Sequence, residues 1–201
     1  MRCPACRQLL HESVPACSHC GFDLAATIRV LGAAPQLEYP LTDFTGALDP
    51  SKIKSVTASL LAMTQTFPQL RFAAVICPVD ARIPLAAHAF WLFNVGGLNS
   101  SHESGSNCRL VLLELDVTNS RAACMIGYGL EPFLPQDALD RIADAALPGL
   151  QKGDLPSAIL ASLKMAQMEF AAVSQSIAQA SGENKATHVV ASGSDEAAFA
   201  Y

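Results

Sequence analysis

The chain has 201 residues, 51% of them hydrophobic and 15% charged, with a formal net charge of -5. This is room for one ordinary domain and a small appendage, with enough apolar residues for a buried core, so global disorder is excluded. The acidic balance argues against nucleic acid, whose recognition needs a basic face to displace counterions from phosphates.

The first 22 residues read MRCPACRQLLHESVPACSHCGF: C-x2-C, ten residues, C-x2-C. Each C-x2-C presents two sulfurs from one tight turn, and four thiolates satisfy tetrahedral zinc. Cys3, Cys6, Cys17 and Cys20 are therefore the expected metal ligands, and residues 1–23 an expected zinc ribbon. His11 and His19 offer competing nitrogens, but four sulfurs already complete the shell. A closed shell is structural, because a catalytic zinc keeps a position for water. A dithiol redox site is the weaker reading of this spacing. The remaining cysteines, Cys77, Cys108 and Cys124, lie in apolar runs and are expected to pack as small hydrophobes. A basic stretch followed by an apolar h-region is not seen at the start, which predicts a cytoplasmic chain. No spanning helix is expected, since His88 and Asn94 break the longest apolar window.

Residues 24–40 are expected to be a linker with one short ordered stretch, broken by Gly32, Pro35 and Pro40. Asp49 as N-cap and Pro50 in the first turn predict a helix through Phe67, with Ile53, Val56, Leu60, Met63 and Phe67 on one buried stripe. Residues 70–78 predict a central strand, apolar on both faces. Residues 84–97 return to helix, with Phe90, Trp91 and Phe93 as packing residues, and 98–107 form a polar loop. Residues 108–117 and 120–129 predict a β-hairpin turning at Thr118-Asn119. Helices follow at 134–147 and 155–180, and 181–201 is expected to be a disordered tail. Strands buried on both faces with helices between them imply a three-layer α/β/α sandwich with a mixed sheet over residues 41–180. Cys124 beside His88 or His102 suggests a thiol nucleophile only weakly, because Cys124 falls mid-strand among apolar neighbours.

Three stretches carry a family resemblance. LTDFTGALDPSKI places an Asp before a Gly-containing turn that leads into a helix. GSNCRLVLLELDVTNSRAACMIGYGLEPFLPQDALDRI sets an Asn before an apolar strand, then a hairpin, then Gly-x-Gly-Leu-Glu and an Asp-headed helix. LPGLQKGDLPSAILASL supplies Pro, Gly-Asp and a final helix. In this order the stretches resemble the TPM domain family from about Leu41 to Val173. The resemblance implies an α/β/α sandwich. It also implies, as in some members, acid phosphatase activity with a divalent metal, often calcium, in an acidic cleft. Other members act in assembly or repair of membrane complexes. Cys108 stands where the family has glycine.

The hairpin puts Asn107 beside Tyr128 and Gly129, with Glu131 and Asp137 on the same edge and Arg141 one turn further. Gly127 and Gly129 keep backbone close to that edge. The resemblance brings Asp43 to the same place. The expected cleft is thus Asp43, Asn107, Glu131, Asp137 and Arg141, suited to Ca2+ or Mg2+. On the residues alone, Asp43 serves equally to organise a turn, and Asp137 to complement a helix dipole or pair with Arg141. Two functions stand at this level. One is an interaction or assembly module for a membrane-associated complex, binding a protein partner through the ribbon or the larger domain. The other is a divalent-metal-dependent acid phosphatase.

Overall fold

The computed structural model describes residues 2–10, 15–98 and 106–191, with residues 106 and 180–191 described by backbone alone. The elements are α1 (Leu24–Leu31), β1 (Leu41–Asp43), α2 (Pro50–Thr66), β2 (Arg71–Cys77), α3 (Leu85–Val95), a 3-10 turn (Ser106–Arg109), β3 (Leu110–Asp116), β4 (Arg121–Ile126), α4 (Gln136–Asp144), α5 (Leu147–Gln151) and α6 (Leu155–Ala191). The sheet order is β1-β2-β3-β4, with the first three strands parallel and β4 antiparallel to β3. This is the expected mixed-sheet α/β fold.

The β2–β3 pair is the centre, in register from Arg71 opposite Leu110 to Cys77 opposite Asp116. Successive strand side chains alternate between faces, and both faces are covered. One face carries Phe72, Ala74, Ile76, Val111, Leu113 and Leu115 against α2, α4 and α6. The other carries Ala73, Val75, Cys77, Leu110 and Leu112 against α3. Phe170 of α6 closes the first core edge-on to Phe72, with ring centroids 5.8 Å apart.

Local signals locate most boundaries. The Asp49 carboxylate accepts from the Ser51 and Lys52 amides and starts α2. The buried stripe of α2 begins at Val56, whereas Ile53 is exposed. The short ordered stretch within the expected linker is α1, which Asp23 caps by accepting from Ala26 N–H. The helix expected over 134–147 is two elements: α4 stops at Asp144, and Pro148 sits at the start of α5. The hairpin loop is Val117–Ser120, wider than the expected two residues, with Ser120 at φ 49°. Strand β1 was not expected. Most of the 98–107 loop lies outside the described residues. Helix α6 runs past residue 180, and 192–201 lie outside the description.

Gly127 is where the sheet edge leaves no room. A Cβ there would come within 1.8 Å of the Asn107 carbonyl oxygen and 2.6 Å of the Cys108 carbonyl carbon. Gly127→Ala should destabilise the fold by about 1–3 kcal/mol through overpacking against backbone, read as a lower urea midpoint at unchanged slope.

Candidate functional site

The amino-terminal cysteines form one cluster. Their four sulfurs lie within 4.8 Å of one another, with Cys3–Cys20 and Cys6–Cys17 Sγ separations of 3.7 Å. A tetrahedron with zinc–sulfur bonds of about 2.3 Å has an edge of about 3.8 Å, so the set fits such a metal. The two knuckles are built alike. Arg7 N–H donates to Cys3 carbonyl and Gly21 N–H to Cys17 carbonyl, at 2.9 and 2.8 Å. The residue after each pair is left-handed, Arg7 at φ 60° and Gly21 at φ 71°. The Cys20 backbone N–H, followed by that of His19 and opposed by burial, holds the Cys17 thiol down at about 6. His11 lies outside the described residues.

The cluster is seated against the larger domain. Arg7 donates to both Asp140 oxygens on α4, at 3.0 and 3.3 Å. Phe22 meets Phe90 of α3 edge-on at 5.5 Å. Between the two modules is a cavity of about 570 Å³, where Arg2, Arg7 and Leu9 face Phe90, Tyr128 and Glu131.

The residues expected in one acidic cleft occupy different places. Asp43 ends β1 opposite Ile76, next to the carboxyl ends of β2 and β3. Asn107 precedes β3 and Glu131 follows β4, both at the other end of the sheet. The five steps from Leu110 to Leu115 span about 17 Å of strand, so Asp43 is not part of the Asn107–Glu131 edge. Parallel pairing of β1 with β2 imposes this separation. Asp43 organises its own loop instead: Oδ1 accepts from Thr45 N–H, Thr45 Oγ1 and Gly46 N–H, and Oδ2 from Leu48 N–H. Against burial, which raises it, the bonds from the Thr45 hydroxyl and from those amides hold the Asp43 carboxyl below its ordinary range. Asn107 Nδ2 donates to the Phe93 carbonyl at the end of α3, while its Oδ1 is buried without a partner among the described residues. Gly127 does bring backbone against Asn107, as expected. Asp137 is exposed, and Arg141 pairs with Glu169 of α6 at 2.7 and 2.9 Å rather than with Asp137.

A second cluster lies inside the domain. Glu114, in the middle of β3, is fully buried. Its Oε1 receives Cys77 Sγ–H at 3.2 Å and lies 2.5 Å from His88 Nδ1. Its Oε2 has no partner among the described residues. Burial, then the charge of Glu114, pushes the Cys77 thiol well above its usual range. The expectation that Cys77 is a plain apolar filler is incomplete: it is buried, but it is bonded to a carboxylate. Cys124 does pack in the core, and Cys108 is exposed instead of packed. Two residues on from Glu114, Asp116 is equally buried but well supplied. It accepts from Val79 and Thr118 N–H, from Asn119 Nδ2 and from Arg121 Nε, which ties the hairpin to β2. The sequence did carry a signal for both: two acids in a strand otherwise apolar on both faces need buried partners.

The TPM domain family matches residues 41–169, more than half of the chain, and the chain belongs to that family. Among solved structures it is similar to the BA42 protein of Bizionia argentinensis, at 13% identity, covering 63% of this chain and 83% of that one with a TM-score of 0.50. It is also similar to the N-terminal domain of a P. gingivalis protein (21% identity, 69% and 86% covered, TM-score 0.44). A third is the N-terminal domain of cg2496 from Corynebacterium glutamicum (15% identity, 66% and 80% covered, TM-score 0.49). At these identities the likeness concerns fold alone. No curated protein matches the chain. Among the described residues, no helix is long and apolar enough to cross a membrane.

Asp43→Asn should cost about 1–3 kcal/mol at neutral pH, through loss of charge-assisted bonds to the β1–α2 loop. A carboxyl depressed in the folded state adds stability in full above its unfolded pKa, and loses it as pH falls through the folded value. Unfolding curves should therefore show the gap between wild type and variant closing below about pH 4.

Proposed function

We propose that this chain is a non-enzymatic assembly module, in which a structural zinc ribbon is locked onto a TPM domain to present one joint surface to a protein partner. The observation that carries this is Arg7. A non-glycine residue in left-handed geometry costs roughly 1–2 kcal/mol, and Gly21 at the matching place of the second knuckle is free of that cost. Arg7 takes the strained position while its guanidinium engages Asp140 through two hydrogen bonds. A ribbon needed only as a tethered tag has no use for that contact. A ribbon that must hold a set orientation does.

The four Cys3, Cys6, Cys17 and Cys20 thiolates would hold the zinc and close its shell, leaving no position for substrate water. So small a module has little core, and the metal would supply most of its folding free energy. The cavity between the modules offers the apolar walls of Leu9, Phe90 and Tyr128 beside the charges of Arg2, Arg7 and Glu131. Such a mixed pocket suits an inserted side chain from a partner. The phosphatase reading draws less support, because Asp43 and Glu131 do not share a cleft in which one Ca2+ or Mg2+ would be held.

Two measurements test the proposal. Wild type assayed on aryl phosphates with calcium or magnesium should show no turnover above background. Metal-dependent turnover that falls in Glu131→Gln or Asp43→Asn would overturn it. Arg7→Ala should lower overall stability by less than about 1 kcal/mol, as for an exposed ion pair, yet speed amide exchange in residues 2–10. Unchanged exchange there would show that the contact does not fix the ribbon.

A further inference from the structure

We infer that Cys77, His88 and Glu114 form a second metal site, for a zinc-class divalent cation, inside the TPM domain. The three donor atoms, Cys77 Sγ, His88 Nδ1 and a Glu114 carboxylate oxygen, all lie within 4.8 Å of one another. Sulfur, imidazole nitrogen and carboxylate oxygen together suit a borderline-soft first-row cation rather than calcium or magnesium.

Charge and hydrogen bonding both point the same way. Glu114 has no exposed surface, and its neighbours on that face are Leu110, Leu112, Val75 and Ala123. One of its oxygens carries both contacts while the other carries none among the described residues. A buried carboxylate oxygen left bare is costly, and a cluster built only for hydrogen bonding would share its two donors across both oxygens. A divalent cation removes the difficulty. With a thiolate, a carboxylate and a neutral imidazole, the charges of the site sum to zero, which is the condition a low-dielectric interior favours. As the metal bonds form, the Cys77 S–H bond breaks and its proton leaves to solvent, while the neutral His88 carries its proton on Nε2 so that Nδ1 can ligate.

The scaffold is suitable. Cys77 and Glu114 sit on adjacent central strands, and His88 is in the second turn of α3, whose N-terminal part overlies them. The nitrogen–oxygen pair needs to open by under about 1 Å to reach the separation of two zinc ligands. Access lies on the His88 side, since that side chain is 14% exposed while Glu114 has no exposed surface and Cys77 is buried. Asp116 is not a fourth ligand, because its oxygens already serve Val79, Asn119 and Arg121.

Metal content of the full chain, purified without chelators, tests this together with cobalt(II) titration of the stripped protein. Wild type should carry about two zinc ions per chain, one in the ribbon and one here. Cys3→Ser with Cys6→Ser removes the ribbon metal and leaves about one, so failure at the ribbon is read separately from failure at this site. Replacing Glu114 or Cys77 can disturb the core, so His88→Gln, at the part-exposed ligand, is the deciding variant. It should keep the ribbon's four-thiolate cobalt spectrum and weaken the second equivalent by more than the 10–100-fold that loss of an outer partner costs. One zinc per chain in wild type, or a second equivalent unmoved by His88→Gln, overturns the inference.

Discussion

The parallel pairing of β2 with β3 is the constraint from which the other features follow. Seven residues of each strand are in register, and both faces are covered. Two parallel strands cannot be joined by a turn, so the chain must cross over between them, and α3 is that crossover. The pairing also assigns the ends. Asp43, Cys77 and Asp116 finish their strands at one end of the sheet, and Asn107 and Glu131 lie at the other. No loop rearrangement short of breaking the sheet brings Asp43 across.

That same burial makes the acids of β3 informative. Asp116 and Glu114 are both without exposed surface, so neither reaches bulk water. Asp116 is resolved with protein groups: three backbone amides, an asparagine amide and an arginine fork satisfy it, and burial is offset so fully that its carboxyl is held below the ordinary range. It is a structural pin for the hairpin. Glu114 is resolved only by half, with an imidazole and a thiol gathered on one oxygen. Two buried carboxylates of one strand thus differ in how they are supplied, and the bare oxygen of Glu114 is the one the inferred cation would serve.

The amino-terminal module obeys different physics. Its four sulfurs lie together in a set that fits a metal, and its two knuckles repeat one hydrogen-bond pattern. What joins it to the rest is a small set of long-range contacts, Arg7 with Asp140 and Phe22 with Phe90. Each is modest in energy, yet together they turn a tether into an orientation and enclose the cavity between the modules.

Local chemistry was legible from the chain itself. The C-x2-C spacing picks out the four sulfurs that cluster, because a knuckle is made within four residues. Asp49-Pro50 names a helix start, and doubly apolar runs name the buried strands. The family resemblance over the larger domain agrees with the observed match. Which distant residues meet was not legible. Pairing order decided that Asp43 stays with its own loop and that Arg141 reaches Glu169. The choice of Cys77, His88 and Glu114 as neighbours came from three elements that are separated in sequence and brought together by one face of the sheet. Spacing along a chain encodes contacts a few residues long, whereas burial and register act across the whole fold, so the ribbon was written in the sequence and the inner cluster was made by the sheet.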